Sequence, residues 1–181
     1  MELDPRWYVD EGGGADPFGE THWRDPFVVA DASEPGLWHA YVTAKSRHPE
    51  TGEPTGVVGH ATSHDLQRWE VGPPLDVEPG RFDQLEVISL DRVEGRWVLL
   101  FSVLGAQVPG ASPGDGGVWS VAVAGPGSPV DTRRATRLTS ERLYVGRTIG
   151  LRDGTSRFLA FVNEDHTAAP GSPGPFVGGL T

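Results

Sequence analysis

An arginine–aspartate pair and a distant glutamate are the residues of this chain whose types and spacing could do chemistry. Arg24 and Asp25 stand in His22-Trp23-Arg24-Asp25-Pro26-Phe27, directly ahead of the apolar run Phe27-Val28-Val29-Ala30. Glu86 opens a second apolar run, Glu86-Val87-Ile88, 61 residues beyond Asp25 (86 minus 25). Two carboxylates with an arginine across a sugar-sized pocket form a glycoside-cleaving arrangement. One acid, kept neutral, protonates the leaving oxygen; the other, ionised, steadies an oxocarbenium-like transition state. Taken singly, each acid is equally an ordinary charge at the end of a strand. Their recurrence ties them together, because spacing on this scale marks repeated structural units. Pro26 is expected to hold Asp25 extended, since the residue before a proline is pushed away from the helical region.

The elements that must hold these residues are short strands. Glycine (25) and proline (16) are plentiful, as suits many strands joined by turns. A first set of strands is expected at 27–30, 37–44 and 57–62, with a fourth, outer strand ending at Val71. A second set follows at 86–90, 96–103 and 118–123, with a weak fourth within 134–139. A third set begins at 143–149 and 157–162, and Phe176-Val177-Gly178-Gly179 opens another strand. No segment carries a helical period of ten residues or more. Val98-Leu99-Leu100-Phe101 is apolar on both faces, which suits a sheet sandwiched between two neighbours.

The fold class predicted is all-β, of β-propeller type, with about three blades in one domain over residues 1–181. A lead-in occupies 1–23, and the blade-like units span 24–82, 83–140 and 141–181, the last incomplete. In a propeller the first strand of each blade lines the central channel. Arg24, Asp25 and Glu86 therefore converge in a funnel, and Arg147 is expected near the equivalent place in the third unit. His22, Trp23, Phe82 and Tyr144 either stack on sugar faces there or pack the blades. Closed propellers need at least four blades, so the open blade edges are expected to be covered, self-association being one way.

Acidic residues outnumber Lys and Arg by 25 to 15, for a formal net charge of -10. Such a surface repels phosphate backbones, so no nucleic-acid partner is expected. No stretch is long and apolar enough to span a bilayer, and no membrane partner is expected. Met1-Glu2-Leu3-Asp4-Pro5 has neither the basic flank nor the apolar core of a secretory signal. With no cysteine in the chain, the expectation is a cytoplasmic protein without disulfides or thiolate chemistry. No cofactor or metal is expected. His60 and His64 are four apart across a strand and a turn, not on one helix face. Ser63-His64-Asp65 are sequence neighbours, which says nothing of triad geometry. Gly12-Gly13-Gly14 lacks the following helix and the Lys-Ser/Thr ending of a phosphate cradle.

Four stretches resemble glycoside hydrolase family 32, the invertase, levanase and fructosidase group. They are Trp23-Arg24-Asp25-Pro26, Leu85-Glu86-Val87, the run from Val58 through Ser63-His64-Asp65-Leu66 to Trp69, and Phe176-Val177-Gly178-Gly179-Leu180. The resemblance covers nearly all of this chain but only part of a family domain. It implies a five-bladed propeller, a fructoside-like carbohydrate substrate and retaining hydrolysis. By it, Glu86 is the general acid/base, Asp25 the transition-state stabiliser, and Arg24 binds substrate or tunes Glu86. Trp23, His22, Arg147 and Tyr144 complete the expected substrate-binding set. Two departures stand out. Val87 occupies a position where family members commonly carry cysteine. The family's nucleophilic aspartate belongs to a first blade that would lie upstream of Met1, so the chain alone is expected to turn over little or nothing. The alternative is a non-catalytic carbohydrate-binding propeller piece or oligomer.

Overall fold

The computed structural model describes residues 1–10, 22–112 and 114–162. The glycine-rich loop expected over 11–19, the loop over 163–175 and the strand expected from Phe176 lie outside the described residues. Among the described residues ten strands form three antiparallel sheets, and there is no α-helix. Sheet 1 holds β1 (Trp23–Ala30), β2 (Trp38–Arg47), β3 (Pro54–Ser63) and β4 (Glu70–Val71). Sheet 2 holds β5 (Glu86–Val93), β6 (Arg96–Val103), β7 (Gly117–Val123) and β8 (Thr136–Arg137). Sheet 3 holds β9 (Leu143–Gly150) and β10 (Ser156–Val162). Within each sheet the spatial order follows the chain, the meander of a propeller blade.

Local chemistry explains the turns. Asp31 ends β1 and accepts the backbone N–H groups of Ser33 and Glu34 at 2.6 and 2.9 Å, an Asx turn that reverses the chain into β2. Between β5 and β6, Glu94 and Gly95 both have positive φ (49° and 80°), as a two-residue hairpin turn of type I′ requires.

The second and third strands of sheet 1 and the second of sheet 2 are buried on consecutive residues, so both of their faces are covered. The main core lies between sheets 1 and 2. Tyr41 and Val58 from one sheet meet Ile88, Leu90, Leu99, Phe101 and Trp119 from the other. Phe82 and Leu85, in the link between the sheets, fill the same core. Phe82 packs edge-on against Phe101 and Trp119, at 5.3 and 5.2 Å between centroids, so it is a packing residue and not a sugar platform. The other side of sheet 1 is closed by Tyr8, packed with Ala44, Val57, Leu3 and Trp23. Sheet 3 approaches sheet 2 so closely at Gly146 that a Cβ there would lie 2.6 Å from Val118 of β7, with Phe158 of its own sheet 2.8 Å away.

The inner strand of every sheet is broken at the same place. In β1, Arg24 pairs with Thr43 and Phe27 with Tyr41; in β5, Glu86 pairs with Ser102 and Ser89 with Leu100. In β9, Tyr144 pairs with Phe161 and Arg147 with Leu159. Each time three steps on the inner strand oppose two on its partner, which is a β-bulge. The second residue of each bulge lies in the left-handed region: Asp25 at φ 55°, Val87 at 50° and Val145 at 54°. Two expectations are corrected here. Asp25 is not extended, because the bulge overrides the preference set by Pro26, and a short polar side chain tolerates the left-handed region. Nor is Arg147 the structural equivalent of the first two bulge residues; Tyr144 is, three residues earlier.

Candidate active site

The bulges decide what faces the middle. In a regular strand, neighbouring side chains point to opposite faces. A left-handed residue in a bulge breaks that alternation and re-aims the side chains around it. Arg24, Glu86 and Tyr144, the first residues of three successive bulges, meet at one point. The Arg24 guanidinium lies between two carboxylates, with Nε 3.6 Å from Asp25 Oδ2 and Nη2 3.4 Å from Glu86 Oε1. Tyr144 donates its hydroxyl to Glu86 Oε2 at 2.7 Å. The side chains of Asp25 and Glu86 keep 39% and 17% of their surface open, so this cluster can still receive a ligand.

Burial, and after it the adjacent Glu86 carboxylate, push the Tyr144 hydroxyl far above the ordinary phenol range. It therefore remains a neutral hydroxyl beside Glu86. Arg147 does different work. Its Nη1 donates to the backbone carbonyls of Val87 and Ile88 at 2.8 and 3.0 Å, and its guanidinium lies 5.2 Å from the Phe27 ring centroid. It ties the bulge of β5 to β9, and its burial lowers it from the usual guanidinium range. His22 is 2% exposed, and its backbone N–H donates to Asp10 at 3.2 Å. Trp23 stacks obliquely on Tyr8, with centroids 4.8 Å apart, in the packing of sheet 1. The structure thus brings Arg24, Asp25, Glu86 and Tyr144 together. Arg147 stands behind the bulge, and His22 and Trp23 lie within the packing beneath the strand.

Three further residues belong to the cluster. Gln107, in a 3-10 turn at Gly105–Gln107, donates Nε2–H to Glu86 Oε1 at 3.1 Å. Thr43 accepts the Val87 N–H at 3.1 Å, and Ser102 accepts the Val145 N–H at 2.9 Å. Each hydroxyl sits on the second strand of one sheet, opposite that sheet's bulge, and caps the bulge of the next. Thr43 and Ser102 are 0% and 1% exposed, so they are interior links between sheets. A signal for these two existed: each is a hydroxyl in a buried apolar strand, 59 residues apart (102 minus 43). Gln107 lies in a Pro/Gly-rich loop and gave no such signal.

No family model matches the chain, and no curated protein matches it. Solved structures do. Sucrose-6-phosphate hydrolase from Lactobacillus gasseri aligns with a TM-score of 0.62 at 16% identity, over 82% of this chain and 31% of that one. The β-fructofuranosidase catalytic domain of Microbacterium saccharophilum aligns with a TM-score of 0.60 at 17% identity, over 90% and 43%. A GH32 β-fructofuranosidase variant from Bombyx mori, in complex with sucrose, aligns with a TM-score of 0.52 at 17% identity, over 83% and 32%. The chain spans between 31% and 43% of the length of these three structures. At such identities the likeness is one of fold. The three sheets are blades of the all-β propeller type found in these enzymes.

Proposed function

We propose that this chain carries the acid/base side of a retaining β-fructosidase-type active site. The observation that supports it is the Arg24 guanidinium set between Asp25 and Glu86, on the inner strands of adjacent blades. Glu86 acts as general acid and then general base at the glycosidic oxygen. Asp25 holds sugar hydroxyls and stabilises the oxocarbenium-like transition state. Arg24 keeps two carboxylates side by side, which their mutual repulsion otherwise opposes. Tyr144 orients Glu86 from the third blade. The fold shared with sucrose- and fructoside-cleaving enzymes supports a fructoside as substrate.

A retaining mechanism needs a nucleophilic carboxylate about 5–5.5 Å from the acid/base. No aspartate of residues 1–181 stands in the motif that carries the nucleophile in the family it resembles, so in our reading these residues alone form a binding half-site with little or no turnover. The test is direct. Purified 181-residue chain is incubated with sucrose and inulin, and fructose release is measured beside sucrose binding by calorimetry. Binding without release, with binding weakened at least tenfold in Arg24→Met, is the expected result. Fructose release that Glu86→Gln abolishes overturns the half-site reading, and absence of any fructoside binding overturns the substrate assignment.

A further inference from the structure

We infer that Gln107 fixes which oxygen of Glu86 carries the exchangeable proton: Oε1 is held as a pure acceptor, and the proton resides on Oε2, against Tyr144. This rests on the acid/base reading of Glu86 and adds an atom-level assignment to it. Among the described residues, Glu86 has three hydrogen-bonding or ion-pair partners: Arg24, Gln107 and Tyr144. An arginine nitrogen and an amide NH2 only donate, whereas a phenol both donates and accepts. Both donor-only groups meet Oε1, Arg24 Nη2 at 3.4 Å and Gln107 Nε2 at 3.1 Å. A proton on Oε1 would face N–H groups with no lone pair to receive it. Oε2 faces the Tyr144 hydroxyl at 2.7 Å, which can turn from donor to acceptor without moving its oxygen.

Gln107 cannot avoid this role by rotating its amide. Its own Oε1 accepts the Leu104 N–H at 2.8 Å, and its backbone N–H donates to the Leu104 carbonyl at 2.8 Å. Its backbone carbonyl accepts the Asp83 N–H at 2.7 Å, which fastens the turn to the segment leading into β5. A flipped amide would break the bond to Leu104 and set a carbonyl oxygen against the carboxylate. The other charged groups around Glu86 are Asp25 on β1, Arg147 on β9, engaged with the Val87 and Ile88 carbonyls, and Glu141, which accepts the Gly105 N–H at 3.4 Å. In the acid step the O–H bond at Oε2 breaks as the leaving oxygen takes the proton, and Tyr144 returns to donating to Oε2. Gln107 touches neither substrate nor proton; it is a positioning residue.

The chain has three glutamines and three tyrosines, so selective labelling is tractable. The experiment is an NMR acid titration of the full chain carrying 15N-glutamine and tyrosine labelled with 13C at Cζ. Assignments come from Gln107→Met and Tyr144→Phe, and Glu86→Gln identifies which steps belong to Glu86. The Tyr144 Cζ signal is expected to show a titration step that vanishes in Glu86→Gln. The Gln107 side-chain amide is expected to keep its hydrogen-bonded shift across that step. In Gln107→Met the Tyr144 step shrinks at least twofold, because the proton then also occupies Oε1. Release of the Gln107 amide to solvent exchange while Tyr144 stays flat overturns the assignment, as does a Tyr144 step unchanged in Gln107→Met. Wild type and Glu86→Gln decide the matter even where Gln107→Met does not fold. Sucrose added to the wild-type sample tests the functional reading separately: unperturbed Tyr144 and Gln107 signals overturn the fructoside reading and leave the proton assignment standing.

Discussion

Arg24 and Asp31 bracket β1, and the polar clusters built on its two ends are organised on opposite terms. At the Asp31 end the cluster is closed. His39 Nε2 meets Asp31 Oδ2 at 3.0 Å, and its Nδ1 meets His60 Nε2 at 2.9 Å, so both ring nitrogens are spent inside the protein. The hydroxyl and backbone N–H of Ser33, the Glu34 N–H and then His39 hold the Asp31 carboxyl well below its usual range. With Asp31 ionised, His39 donates to it through Nε2 and shares a hydrogen bond with His60 through Nδ1. Gly127 covers the ring; a Cβ there would lie 2.5 Å from His39 Cε1. At the Arg24 end the cluster is open, and Asp25 and Glu86 keep exposed surface for a ligand. A buried polar network with every member satisfied contributes stability and a unique arrangement. One that leaves acceptors open has capacity for chemistry.

The largest test of that contrast is a pair of substitutions. His39→Leu leaves Asp31 and His60 without their shared partner in a site that is 5% exposed. It should cost about 2–4 kcal/mol in urea unfolding while leaving sucrose affinity of the folded chain intact. Arg24→Met should cost less stability than His39→Leu, because its cluster keeps exposed surface, and should weaken sucrose binding at least tenfold. Equal stability losses at both ends would erase the distinction between closed and open clusters.

A second test uses pH, because two buried groups, His60 on β3 and Asp76 bonded to the β3 backbone, oppose each other. Burial, and then His39, hold His60 down to about 4 from 6.5. Between those values the unfolded chain binds a proton that the folded one refuses. The contribution of His60 is therefore complete above about pH 6.5 and is lost as pH falls toward 4. Asp76, whose Oδ2 accepts the Val58 N–H at 2.6 Å, is pushed by burial up to about 7 from 3.8. It favours the folded state below about pH 4, and that contribution is lost as pH rises toward 7. The wild-type profile across this window should be shallow. Asp76→Asn should uncover stability that rises with pH, and His60→Gln stability that falls, each by roughly 1–3 kcal/mol over the window. Parallel slopes in the two variants would show that the groups are not held as described.

The third test concerns the link between blades. Thr43→Val keeps the shape of the side chain but removes the partner of the half-buried Val87 N–H, costing about 1–2 kcal/mol, whereas Thr43→Ser keeps the acceptor. Sucrose affinity should weaken in Thr43→Val and recover in Thr43→Ser, as calorimetry would read. The pair also shows what was legible in the sequence. The strands were, because apolar runs between Gly, Pro and Asp turns allow little else, and so was the approach of Arg24, Asp25 and Glu86. The bulges were not. A bulge is a mismatch of register between two strands, and it has no local composition when the left-handed residue is Asp once and Val twice. Missing it shifted the third-blade equivalent from Tyr144 to Arg147 and made Asp25 extended. Gln107 was hidden for another reason: its contact depends on a loop whose path is set by Leu104 and Asp83 and by no periodic pattern.

The smallest test separates strain that serves the site from strain that does not, within the single strand β5. Val87 at its start and Glu94 just beyond its end both hold positive φ, at 50° and 49°. Asparagine tolerates this region better than either residue. In the exposed hairpin turn, Glu94→Asn creates Asn-Gly, the preferred pair for a type I′ turn, and should raise stability by about 0.5–1 kcal/mol. Among the described residues, no hydrogen bond or ion pair joins the turn to the Arg24–Glu86 cluster, so sucrose affinity should not change. Val87→Asn relieves a comparable backbone strain, but beside Glu86. Its amide side chain adds hydrogen-bonding groups of its own next to the link from Thr43, which compete for the Val87 N–H position and loosen the bulge. Stability should therefore rise by less than in Glu94→Asn, and sucrose affinity should fall. Identical gains with unchanged affinity in both variants would mean that the bulge tolerates its strained valine without using it.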